Sequence, residues 1–229
     1  KNLAVCSEHQ MRIVQEDGIP VVLQAMGHHL SHAGVQEQGC GTLSNLASSL
    51  ENQIIIVQKG GIPVVLQAMM QYPSHGGIQE QGCRVLSNLT STVENQVLTV
   101  QHGGVPLVVQ AMKNHLYDSE TQEKGCEILS NLTSVVVWKH EHLVQEIIDA
   151  TLSAMKQYPS HVGIQISGCW ALGKLATISA IQTRIVAKGG FELILEAMGQ
   201  YPLHTGVQEA GLLALHRLAS NTDDQAGNL

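Results

Sequence analysis

The chain has 229 residues, of which 44% are hydrophobic and only 3% aromatic: enough apolar material for a sizeable core, but too little Phe, Tyr and Trp for an aromatic β-sandwich. Twelve lysines and arginines against nineteen aspartates and glutamates leave a formal charge of −7, so there is no basic surplus for a phosphate backbone and nucleic acid is not expected as a partner. No apolar run approaches the roughly 20 residues of a membrane-spanning helix, and Lys1, Asn2 and Leu3 do not begin a signal peptide; a cytoplasmic chain with no membrane insertion is expected, the nucleus also being open to it.

Abundant Leu, Ala, Gln and Met favour helices, and self-comparison arranges them in a repeat. Ala25-Met26 recurs at Ala68-Met69, Ala111-Met112, Ala154-Met155 and Ala197-Met198, always 43 residues on. Gly39-Cys40 recurs in the same way up to Gly168-Cys169, and "LSNL" ending at Leu46 returns at Leu89 and Leu132 before changing to "LGKL" and "LHRL". The spacing puts Asn2 and Leu3 in the tail of an earlier copy. Residues 1–17 therefore read as a partial repeat, followed by five repeats starting near 18, 61, 104, 147 and 190 in a single domain, 1–229, that is expected to be a fragment of a longer protein.

One copy predicts three helices. A short one over about Asn52 to Gln58 stops at Gly60-Gly61, because glycine supplies the left-handed turn. A second begins at Ile62-Pro63, where the missing N–H of proline costs nothing, and ends at Tyr72-Pro73. Ser74 is the expected cap of a third, running to about Thr92 with Ile78, Gly82, Leu86 and Leu89 on one buried stripe. Pro20, Pro63 and Pro106 open second helices, and Pro73, Pro159 and Pro202 close them. Cys40, Cys83, Cys126 and Cys169 share one position on successive third helices about 8 to 10 Å apart, too far for disulfides, so they are expected to be reduced and buried, with Cys6 also unpaired.

A glycine pair, a proline-initiated second helix and a third helix reading "VQEQGCGTLSNLA" (Val35 to Ala47) together resemble the armadillo repeat across nearly the whole chain. The finer pattern of Ala-Met, Tyr-Pro-Ser-His and Ile-Gln-Glu resembles the armadillo segment of leucine-rich-repeat kinases of the Roco family and related multidomain signalling proteins. The resemblance implies an all-α, right-handed superhelical solenoid with three helices per repeat, its concave groove lined by the third helices and able to hold an extended peptide.

If Leu43 and Leu46 face the core, Gly41, Asn45 and Ser48 lie towards the opposite side. Two rows follow: Asn2, Asn45, Asn88, Asn131, Lys174, Arg217 in one, and Gly41, Arg84, Glu127, Trp170, Leu213 in the other. A repeated asparagine resembles the ladder with which armadillo proteins grip a ligand backbone, since an amide both donates and accepts; the alternative is an asparagine bonded only to its neighbouring repeat. The expected peptide-binding residues are Asn45, Asn88, Asn131, Arg84, Glu127, Trp170, Lys174 and Arg217.

His32, His75, His161 and His204 share a loop position one or more repeats apart, without metal-ligand spacing, and read as structural. Glu37, Glu80, Glu123 and Glu209 recur near the third-helix start and complement the helix dipole. No phosphate loop or tight ligand motif appears, so no catalytic residue, metal or cofactor is expected. The functional expectation is a non-enzymatic protein- or peptide-binding scaffold. The alternative is a structural spacer or regulatory arm of a larger Roco-type kinase.

Overall fold

A computed structural model describes residues 7–136 and 140–220. Asn2, Leu3 and Cys6 lie outside the described residues. Those described form helices and connecting turns, with no strand among them, in two compact units divided at His115 and Leu116.

The first unit contains α1 (Ser7–Gln15), α2 (Gly18–His28), α3 (Ala33–Leu46), α4 (Leu50–Gln58), α5 (Gly61–Gln71), α6 (Gly76–Leu89), α7 (Val93–Gln101) and α8 (Gly104–Asn114). They follow the short, middle, long order of the repeat, and the long helices α3 and α6 pack side by side. Leu43, Leu46, Ile62, Met69, Leu86 and Leu89 are almost fully buried between successive repeats.

The glycine pairs divide two tasks. Gly60, Gly103 and Gly189 adopt a left-handed backbone, with φ of 81°, 75° and 81°, and break the chain direction. The second glycine lies against the preceding turn: a Cβ on Gly61 would stand 2.8 Å from the Ile56 carbonyl oxygen. The middle helix thus starts at Gly61 and not at Ile62-Pro63, which puts Pro63 in the first turn, where the backbone donors have no helical partner. In the first repeat Asp17 takes the left-handed position with φ 55°.

The third helix also differs from expectation at both ends. Its N-cap is His75 rather than Ser74, and it ends at Leu89, because Thr92 already caps α7 by accepting a hydrogen bond from the Asn95 N–H. The same position is again the N-cap at His32, His161 and His204, whereas Asp118 stands there in the third copy. His32 Nδ1 accepts from Val35 N–H at 3.3 Å, and His204 Nδ1 from Val207 N–H at 3.4 Å.

The second unit contains α9 (Ser119–Val136), α10 (Glu141–Gln157), α11 (Val162–Leu175), α12 (Ser179–Ala187), α13 (Gly190–Gln200) and α14 (Thr205–Ala219). Its long helices are α9, α11 and α14, with α11 between the other two. Here the expected break near 147 is absent. Glu146 and Ile147 occupy the places of the glycine pair, nothing favours a left-handed turn, and the short and middle helices merge into α10.

Candidate functional site

The third helices are held by side chains that bridge to carbonyl groups at helix ends. Gln79 Nε2 donates to Met69 O and Tyr72 O at 2.8 Å each, and Gln36, Gln165 and Gln208 repeat the bridge one copy at a time. Each closes two orphan carbonyls at the end of a middle helix with one amide. At the other end of the third helix, Asn52 Nδ2 donates to Leu46 O at 2.9 Å, and Gln10 Nε2 donates to Asn45 O at 3.0 Å. Gln182 Nε2 likewise donates to Arg217 O at 2.8 Å. The backbones carrying Asn45 and Arg217 are thus fastened, and their side chains project from fixed points.

The Ala-Met and Gly-Cys repeats are one packing unit. A Cβ on Gly82 would lie 2.6 Å from Met69 Cγ, and Gly39 and Gly211 meet Met26 and Met198 in the same way. Glycine lets the middle helix lay its methionine across the third helix, which sets where the outer face points.

In the first unit the outer face carries Asn45 on α3 and Arg84 and Asn88 on α6. All three are half-buried. The amides of Asn45 and Asn88 make no hydrogen bond to the described residues, so both retain two donors and an acceptor for another molecule. Arg84 Nε stands 3.4 Å from Glu80 Oε1 on its own helix. Glu37 does not complement its own helix. Its carboxylate lies where a Cβ on Gly77 would be, over the first turn of α6, so it addresses the dipole of the next third helix.

In the second unit the face brings Glu127 and Asn131 of α9 together with Trp170 and Lys174 of α11 and Arg217 of α14. Glu127 is held by Lys124 Nζ at 2.9 Å. Lys174 Nζ donates to Ser130 O at 3.2 Å and Ser130 Oγ at 3.3 Å, and lies 5.9 Å from the Trp170 ring centroid, a cation–π distance. Arg217 Nη1 donates to Gly173 O at 3.2 Å. Burial, followed by the charge of Arg217, pulls the Lys174 pKa below its usual value. Gly173, where the first three copies have serine, lets the α14 backbone come close: a Cβ there would be 3.0 Å from Ala214 Cα. The Glu123 carboxylate covers Gly163 as Glu37 covers Gly77, and stands 3.7 Å from His161 Nε2.

Cys40, Cys83, Cys126 and Cys169 are fully buried, and none of them forms a disulfide. Burial pushes the thiols of Cys40, Cys126 and Cys169 up to about 12, so they stay protonated and poor nucleophiles at neutral pH. No group of three His, Cys, Asp or Glu side chains among the described residues could hold a metal ion. No single described helix is long and apolar enough to cross a membrane. A cavity of about 360 Å³ against α2 and α3 is lined by Val22, Ala25 and Val35 among others. Their counterparts one copy on, Val65, Ala68 and Ile78, are fully buried, so the cavity lies on the face that the second copy uses for repeat-to-repeat packing.

Sequence reasoning placed the outward rows but gave no role to the recurring glutamines. Their signal was present: Gln36, Gln79, Gln122, Gln165 and Gln208 share one position in all five copies, where a merely exposed polar residue could vary.

Comparison with known proteins follows the same lines. A family described as the LRRK2 ARM repeat matches residues 7–190. No curated protein matches the chain. Among 71 matching chains in solved structures, one comes from work on a phosphorylation switch controlling the interaction between cadherin and beta-catenin. It has a TM-score of 0.81 at 17% identity. That match covers 96% of this chain and 42% of the other, so the chain spans less than half the length of that relative. With the family matched over most of its length and the all-α repeat plan present in both units, the chain belongs to the LRRK2-type armadillo-repeat family.

Proposed function

We propose that the chain is a non-enzymatic scaffold that holds an extended segment of another protein along the outer faces of its third helices. The carrying observation is the pair of unengaged amides, Asn45 and Asn88, at equivalent points of the packed third helices α3 and α6. Packed helices about 8 to 10 Å apart match two to three residues of extended chain at about 3.3 Å each, so successive amides can serve successive backbone groups. The solved structure noted above concerns an interaction between two proteins and is a precedent for a protein partner. A second reading, the structural spacer or regulatory arm, is favoured by Lys174 and Arg217, which use the same row to bond the preceding third helix.

The test is selection of linear dodecapeptides from a displayed random library on the chain, followed by hydrogen exchange with the selected peptides bound. The scaffold reading predicts slowed exchange on α3, α6, α9, α11 or α14. Slowing confined to the middle helices, or no specific binder at all, overturns it in favour of the spacer.

A further inference from the structure

Most of the described cations in this acidic chain are of two kinds. Arg84, Lys124, Arg184 and Lys188 each have a carboxylate within ion-pair distance, whereas Arg12, Lys59, Lys113 and Lys156 stand exposed in water. Lys174 and Arg217 fit neither group. They are half-buried on the outer face of α11 and α14, and no described carboxylate pairs with either. Their partners among the described residues are neutral: Ser130 O and Oγ, the Trp170 ring and Gly173 O. Those bonds use two of the three donors of Lys174 and one of the five of Arg217, and each ties its head to the preceding third helix. Two half-desolvated positive charges on neighbouring third helices, with no counter-ion among the described residues, are costly in the free protein, and an anion placed between them relieves that cost. The adjacent acid, Glu127, is already engaged by Lys124. In the first unit the same row carries the neutral Asn45 and Asn88, so the charge is local to α11 and α14.

We propose that Lys174 and Arg217 form a seat for a carboxylate side chain of the bound segment, with Trp170 packing against the aliphatic part of that residue. The occupant is an aspartate or glutamate in an extended peptide. The inference rests on the scaffold reading and gives it a chemical class: the partner segment is acidic where it crosses α11 and α14. Charge-assisted hydrogen bonds from a lysine and a planar guanidinium suit a carboxylate's two oxygens.

The experiment uses blocked nonapeptide pools, randomised except for a central residue fixed as Glu, Gln, Lys or phosphoserine, titrated against the chain by fluorescence anisotropy. The Glu pool is expected to bind about threefold to tenfold tighter than the Gln pool, the size of one exposed to half-buried charge-assisted contact. That preference should shrink with added salt. It should vanish in Arg217→Gln and in Lys174→Met, and survive in Lys174→Arg. Because Lys174→Met removes bonds to Ser130, Arg217→Gln serves as the variant that leaves that contact in place, with melting curves to show that both are folded. Equal binding of the Glu, Gln and Lys pools, unchanged in the variants, overturns the seat while leaving the scaffold reading standing. Preference for the phosphoserine pool over the Glu pool overturns the carboxylate as occupant. Failure of every pool to bind overturns both readings.

Discussion

Gly82 and Met69 show how much of this structure is decided by single side chains. A Cβ at Gly82 would stand 2.6 Å from Met69 Cγ, so Gly82→Ala should cost about 1 to 3 kcal/mol in a denaturant titration, the usual range for overpacking. In a Met69→Ala background the added loss should be smaller, because the obstructing atoms are gone; an equal loss in both would contradict the packing unit. Gln79→Leu should cost about 1 to 3 kcal/mol by stripping two helix-end carbonyls of their donor, whereas the exposed Gln71→Ala should change stability little. The cysteines give a pH dependence. Burial pushes the thiols of Cys40, Cys126 and Cys169 from about 9 when unfolded to about 12 when folded, so the unfolded chain releases these protons first and stability falls as pH rises between those values. Labelling of Cys40, Cys126 and Cys169 in the native protein at pH 8, located by peptide mapping, should accordingly track unfolding; rapid reaction at these three positions without unfolding would show that they are not sealed in.

Helices begin and end where a residue can take a special backbone angle. Gly60→Ala, at φ 81°, should destabilise by about 1 to 2 kcal/mol, while Asp17→Gly, at φ 55°, should leave stability unchanged or raise it by up to about 1 kcal/mol. Losses of similar size at both positions, measured by thermal unfolding, would argue against this left-handed break. The order and type of the elements were legible because proline, glycine and apolar spacing recur in every copy. Two local details differ from the sequence reading for identifiable reasons. Serine is the commoner capping residue, so Ser74 was preferred, although the recurring position belongs to histidine and a ring nitrogen can accept the same hydrogen bond. The fixed period predicts a helix break near 147 as in the other copies, but Glu146-Ile147 lacks the glycines that make it and one helix runs through.

In the molecule as a whole, stability is carried by interfaces between neighbouring repeats. Leu86→Ala, fully buried in the first unit, should cost about 2 to 5 kcal/mol, whereas Val93→Ala, 59% exposed, should stay within about 0.5 kcal/mol; equal losses in denaturant would contradict that distribution. The outer rows were legible because leucine spacing fixes which face is left over. The differing circumstances of their members were not, because they depend on distances between helices: Asn45 and Asn88 stay unengaged, while Lys174 reaches Ser130 and Arg217 reaches Gly173. The central claim is that the unengaged amides grip a partner's backbone. It is tested most directly by calorimetric titration of a library-selected linear peptide into the chain and into its Asn45→Ala/Asn88→Ala variant. The account predicts about tenfold weaker binding by the variant with unchanged melting, from the loss of two hydrogen bonds of about 0.5 to 1.5 kcal/mol each. Equal affinity for the two proteins would contradict it.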